Sequence, residues 1–340
     1  MRRREFIAET LATAAMGFAH PICAQTNGSA LVTKRIAFFH PAEPPAGLTI
    51  NGRRAYKTYF GELNRLGYIE GQNLIVERYS ALGQSDRYGD LARDIVASRP
   101  DLIVSVSGLL AQLLKPLTTT IPILATSADP IAAGLVTNLA KPDGNITGMS
   151  ADAGLEVNGK RLQFLRETAR NLYNVRFLTT ATASRIAEAT LAVVREAAGQ
   201  NAITIAPAIL SEKINRVAFE RAFDAMENDG VDGLIVSDSP EHLTNRQLIV
   251  DLAGKHRLPA IYPFREFVEV GGLLSYGVDT ADLMRSLAGM TAQVLGGATP
   301  REIPFQQQTK FELVLNRTAA ASLGLEFPTT VLAIADEVMG

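Results

Sequence analysis

The sequence predicts an α/β protein made of two doubly wound, Rossmann-like lobes joined by a hinge that the chain crosses several times. Three observations carry this. Short apolar runs alternate with helix-period segments in two successive series of similar length. The strand runs are nearly continuous apolar stretches, as expected where helices cover both faces of a sheet. A strand and a long helix, 271–277 and 280–297, are left over after the second series and suit a return to the first lobe.

The first series opens with a strand in 34–41 and a helix over 51–67 that stops at Gly67. A strand at 73–80, a helix at 86–100 ending at Pro100 and a strand at 101–107 follow. A short helix from Gly108, a strand at 121–127, a helix over 129–140 with Pro130 in its first turn and a strand at 145–150 close this half. The second series repeats the rhythm: helix from Gly159, strand from Asn174, helix from Ser184, strand from Ala202, helix from Asn215 and strand from Val231. A helix from Glu241 and a strand from Leu258 complete it. Crossings are expected near Ser150, near Gly277 and within 301–316, which assigns 33–149 plus about 278–305 to an N-terminal lobe. The C-terminal lobe is then 150–277 plus about 306–335.

Residues 1–24 read as a signal peptide: Arg2, Arg3 and Arg4 precede a modestly apolar stretch and small residues around Ala24. The Arg-Arg-Arg-Glu-Phe run suits twin-arginine export, and general secretion is the alternative route. An exported, periplasmic location follows. Cys23 is the single cysteine, so cleavage after Ala24 leaves neither a disulfide nor a thiolate metal site. No later run is apolar and long enough to span a membrane.

Composition excludes whole classes. The 47% hydrophobic and 20% charged content is that of a folded chain, and a net charge of −2 gives no footprint for nucleic acid. The four histidines show no metal-ligand spacing, and no nucleophile elbow or dinucleotide fingerprint is present, so neither catalysis nor a cofactor is expected. The Gly154–Lys160 stretch matches the spacing of a phosphate loop, but Arg161 stands where Ser or Thr must ligate magnesium. It reads instead as a loop feeding an amphipathic helix, with Lys160 and Arg161 on the wet side.

In such sheets ligands sit off the carboxyl ends of the strands. That rule selects His40, Ser105, Ser107, Gly108, Ser127, Asp129, Thr180, Asp238, Tyr262 and Tyr276 as ligand-binding candidates. Small hydroxyls and open backbone N–H groups suit a carboxylate. Asp129 serves either a ligand or a helix N-cap. Asp238 pairs with a ligand ammonium or caps the helix from Glu241. Tyr276 stacks on a ligand ring or packs in the hinge, Tyr262 has the same two uses, and His40 is either a cleft residue or a structural one.

Several blocks in order carry a family resemblance: the export start Arg2–Ile7, 63–80, 139–148, 261–277 and 307–325. Together they resemble the solute-binding proteins of ABC importers, in the branch similar to tryptophan and tyrosine uptake proteins. The resemblance implies a type I periplasmic-binding-protein fold, no catalysis, and delivery of a small molecule to a membrane permease. An aromatic or branched amino acid, or a related organic acid, is the expected ligand, and a monomer the expected state. The chain departs from the family pattern at Ser107–Leu110 and Thr126–Pro130, both on ligand-facing loops. A receptor feeding a signalling partner instead of a transporter is the alternative.

Overall fold

The computed structural model describes residues 33–151, 156–181, 191–196, 198, 203–210 and 214–340. The expected signal peptide lies outside them. Two sheets organise the described residues. The first holds six strands in the order β11-β5-β4-β3-β1-β2. Its members are β1 (Lys34–His40), β2 (Leu74–Ser80), β3 (Leu102–Ser105), β4 (Ile123–Ser127), β5 (Ile146–Ser150) and β11 (Gln306–Gln307), all paired in parallel. The second holds seven in the order β13-β12-β10-β9-β8-β6-β7. These are β6 (Asn174–Thr180), β7 (Thr204–Leu210), β8 (Gly233–Val236), β9 (Ala260–Tyr262), β10 (Leu274–Val278), β12 (Phe311–Asn316) and β13 (Glu337–Met339). Among the described residues only the β10–β12 pairing is antiparallel. In each sheet the chain reverses direction beside its first strand, at β1 and at β6, which opens a crevice at the carboxyl ends.

The helices form where an apolar stripe recurs at helical period. In α1 (Arg54–Arg65), Ala55, Tyr56, Tyr59, Phe60 and Leu63 are buried, a single face. Helices α2 (Tyr88–Ser98), α3 (Gly108–Leu114) and α4 (Glu156–Thr168) follow. Beyond β7 come α5 (Arg216–Asn228), α6 (Pro240–Thr244), α7 (Arg246–Lys255) and α8 (Arg265–Val268). Helix α9 (Thr280–Leu295) starts from the Asp279 carboxylate, which accepts the N–H groups of Ala281 and Asp282. Although α9 follows a strand of the second sheet, its Leu283, Met284, Leu287 and Met290 pack with Phe38, Tyr59 and Leu63 of the first lobe. The buried hydroxyls of Tyr59 and Thr291 meet at 2.9 Å.

Three crossings therefore link the sheets: β5 to α4, β10 to α9, and β11 to β12. They are tied to one another. The Gln308 N–H donates to Ser150 O at 2.8 Å and the Asp279 N–H to Lys310 O at 3.0 Å. The Gln308 side-chain amide reaches Asp279 O at 3.2 Å.

Two expected elements differ. No helix spans 129–140; Pro130 opens one turn, which Gly134 ends at φ +64°. The helix expected from Glu241 divides into α6 and α7 at Asn245, whose side-chain amide donates to Glu241 O at 2.9 Å.

Candidate ligand-binding site

At the end of β1, His40 is buried and accepts the backbone N–H groups of Ala42 and Glu43 on Nδ1, at 3.0 and 2.7 Å. Its ring meets Tyr56 edge-on at 5.8 Å. Burial, aided by the Arg53 charge, pushes its pKa down to about 3, so the ring is a neutral acceptor that folds the loop and aims Glu43. His242 behaves alike: it is fully buried, bonded through Nδ1 to Ser237, and burial lowers its pKa to about 4. Both histidines stay neutral in the fold while the unfolded chain protonates near pH 6.5. Folded-state pKa values below the unfolded value mean stability is fully present above pH 6.5 and drains as the pH falls towards 4 and then 3. Urea midpoints measured from pH 7 to pH 4 should fall steadily, and His40→Asn should flatten part of that slope. An unchanged slope would show that His40 titrates normally.

The other candidates differ in what their side chains touch. Ser105 is fully buried and its hydroxyl donates to Ser107 O at 3.1 Å. Ser107 occupies the N-cap of α3, but its hydroxyl makes no capping bond. Gly108 comes so close to Ser127 that a Cβ there would lie 2.6 Å from the Ser127 hydroxyl, so the ends of β3 and β4 converge. Asp129 accepts the N–H groups of Ile131 and Ala132, both at 2.9 Å, and holds the single turn that replaces the expected helix. Thr180 is buried at the end of β6. Asp238 is exposed, and the cap of α6 is supplied by Ser239, whose hydroxyl accepts His242 N–H at 3.2 Å. Tyr262 is 1% exposed and stacks on Phe267 at 4.9 Å inside the core; burial raises its phenol pKa. Tyr276 is half-buried between Phe164 at 5.1 Å and Phe311 at 5.9 Å, with the Lys160 ammonium 5.9 Å from its ring centre.

Arg161 corrects the reading of its loop. Lys160 is exposed, but Arg161 is 2% exposed. Its Nε donates to Tyr276 O and its Nη1 to Asn158 Oδ1, both at 2.8 Å. Burial lowers its pKa, against the opposing fields of Asp238 and Tyr276. Among the described residues no carboxylate lies in ion-pair range of it. The helical period carried the signal: Asn158, Arg161, Leu162, Leu165 and Thr168 share the buried face of α4.

A second cluster went unseen in the sequence because it joins distant segments. Arg53 sits 2.8 Å from Glu43 and 3.8 Å from Glu266, which belongs to α8 in the other lobe. Burial alone would lower the Arg53 pKa, but Tyr56, Glu43 and Glu266 outweigh it and hold the value above the ordinary one. Glu266 is 1% exposed and accepts the Thr280 hydroxyl at 2.8 Å, while its Oε2 has no hydrogen-bond partner among the described residues. Beside the crossings, Arg54 reaches Asp279 at 3.3 Å and Glu312 at 3.4 Å, and Arg265 reaches Glu312 at 3.0 Å. Charged pairs thus bridge the lobes at the crevice and at the hinge.

Residues 53–339 match the model of the ABC transporter substrate binding protein family. The chain belongs to that family. This substrate-binding protein is 25% identical over 278 residues to a tyrosine-binding protein of Clostridioides difficile, spanning 80% of this chain and 77% of that one. Among solved structures it is similar to a conserved domain protein of Vibrio cholerae, with a TM-score of 0.78 and 25% identity over 90% of this chain and 99% of the other. An ABC domain from Streptococcus pneumonia in complex with L-Trp gives a TM-score of 0.77 at 23% identity, covering 90% and 100%. The two-lobed, type I periplasmic-binding architecture expected of the family is present in the substrate-binding protein. Among the described residues no helix is long and apolar enough to cross a membrane.

Proposed function

We propose that this substrate-binding protein is the extracytoplasmic receptor of an importer, exported by residues 1–24, that captures an α-amino acid between its lobes and hands it to a permease. The observation that carries this reading is that Arg161 and Asp238 feel one another's charge without forming an ion pair. Arg161 is a buried cation with no carboxylate in ion-pair range among the described residues, and Asp238 is an exposed anion relieved of capping by Ser239. Arg161 reaches from α4 to the Tyr276 carbonyl of β10 and Asp238 follows the end of β8, so a zwitterion finds one charge for each of its own. Ser107, Gly108, Ser127 and Thr180 supply small polar contacts, and Tyr276 adds an aromatic face. The relatives described above, one named for tyrosine and one bound to L-Trp, support an aromatic side chain; a branched one is the next class.

The lobes, 33–149 plus about 278–305 and 150–277 plus about 306–335, close as a monomer around the ligand. Shifting such a closure from 1:99 to 99:1 takes about 5.5 kcal/mol of differential affinity. Isothermal titration against tyrosine, tryptophan and leucine tests the reading. Arg161→Gln and Asp238→Asn are each expected to weaken binding about 10- to 100-fold, the worth of one charge-assisted hydrogen bond. Binding of none of the amino acids, or full affinity in both variants, would overturn it.

A further inference from the structure

Away from the crevice, three side chains gather where α5 and α7 end, just before β8 and β9 begin. Asp224 and Glu227 lie three residues apart on the last turns of α5, and His256 is the C-cap of α7. One ligand atom from each lies within 4.8 Å of the other two. The carboxylates are 60% and 67% exposed, whereas the His256 side chain is 6% exposed and tilted against Phe223 at 5.9 Å. His256 Nδ1 stands 2.8 Å from Glu227 Oε2. A neutral imidazole that donates its Nδ1–H to a carboxylate carries its lone pair on Nε2. That Nε2 is buried, has no hydrogen-bond partner among the described residues, and faces Asp224 Oδ1 across 3.7 Å.

We propose that Asp224, Glu227 and His256 form a site for a divalent transition-metal ion of the zinc type. Two ligands each about 2.0–2.1 Å from one ion stand roughly 3.3–4 Å apart, which is the spacing of His256 Nε2 and Asp224 Oδ1. A carboxylate on the far ring nitrogen is the usual way to fix a metal-binding imidazole, and Glu227 is placed to do this or to add its own oxygen. The nitrogen ligand selects against calcium and magnesium, which take oxygen. Water fills the remaining positions. The ion would clamp α5 to α7 at the end of the second lobe opposite its ligand crevice, so it acts on stability and leaves amino-acid capture alone.

The test is titration of the whole chain with zinc chloride, read by calorimetry and by thermal melting with and without chelator. One saturable site and a zinc-dependent rise in Tm are expected. His256→Ala should weaken zinc binding about 10- to 100-fold and abolish the rise, and Asp224→Asn, at an exposed position, should do so without disturbing the fold. Both variants should keep the parent's melting temperature under chelator to within a few degrees, as well as its affinity for amino acids. No saturable zinc site, or one that persists undiminished in His256→Ala and Asp224→Asn, would reduce the cluster to an ion pair and overturn the proposal.

Discussion

Arg53→Ala is expected to destabilise the protein by about 3–5 kcal/mol, the usual cost of removing one partner from a buried ion pair. The side chains of Arg53, Glu43 and Glu266 are 12%, 11% and 2% exposed. Without the guanidinium, two carboxylates from opposite lobes lose the cation they share, and the more distant charge of Arg246 is left to offset both. Either one takes up a proton or the lobes part and admit water. The second route predicts a larger radius of gyration in small-angle scattering of the ligand-free variant, together with weaker ligand capture. Glu266→Gln in the same background should restore part of the loss, because it removes one of the stranded charges while keeping an acceptor for the Thr280 hydroxyl. A variant as stable and as compact as the parent would show that the cluster is solvated in solution.

Gly277→Ala should be nearly as damaging for a steric reason. A Cβ at Gly277 would lie 1.9 Å from the carbonyl oxygen of Pro263 and 3.2 Å from Arg161 Nη2. The first contact cannot be relieved by a rotamer; the end of β10 must move away from the residue that follows β9. Overpacking of this kind costs about 1–3 kcal/mol and here, against backbone, should reach the upper end or exceed it. The displaced strand also carries the Tyr276 carbonyl that holds Arg161, so ligand affinity should fall with stability. Gly61 in α1 is the control: a Cβ there meets nothing within 4 Å, and Gly61→Ala should gain about 0.5–1 kcal/mol. Equal melting temperatures for the two alanine variants would sink the steric account.

The architecture was legible because burial leaves a periodic trace. The stripe of α1, the apolar strands and the leftover strand–helix unit all follow from which faces must leave water. Local readings failed where a single residue decided the outcome. Residues 130–134 have a proline suited to a helix start, but Gly134 turns left-handed after one turn, and the Asn138 side chain then takes the N–H of Ala140. Tyr262 sits at a strand end, as the crevice rule requires, yet its ring lies against Phe267 in the core. That rule locates a backbone position and does not fix which way the side chain leans. Arg161 was misplaced for the opposite reason. Its charge suggested water, while its position in the period of α4 put it inside. The Arg53 cluster joins residues more than two hundred positions apart along the chain, and no one-dimensional pattern reports such a contact.

The discontinuity of the first lobe sets an order of assembly. Its core begins with Ile36 and Phe38 but is closed by Leu283, Leu287 and Leu295 of α9, and its sheet edge by Gln306–Gln307. Synthesis from the N-terminus therefore makes this half first and completes it late, after nearly all of the other half has left the ribosome. Until then its core lacks the face that α9 supplies, the kind of exposed apolar surface that makes a folding intermediate prone to aggregate.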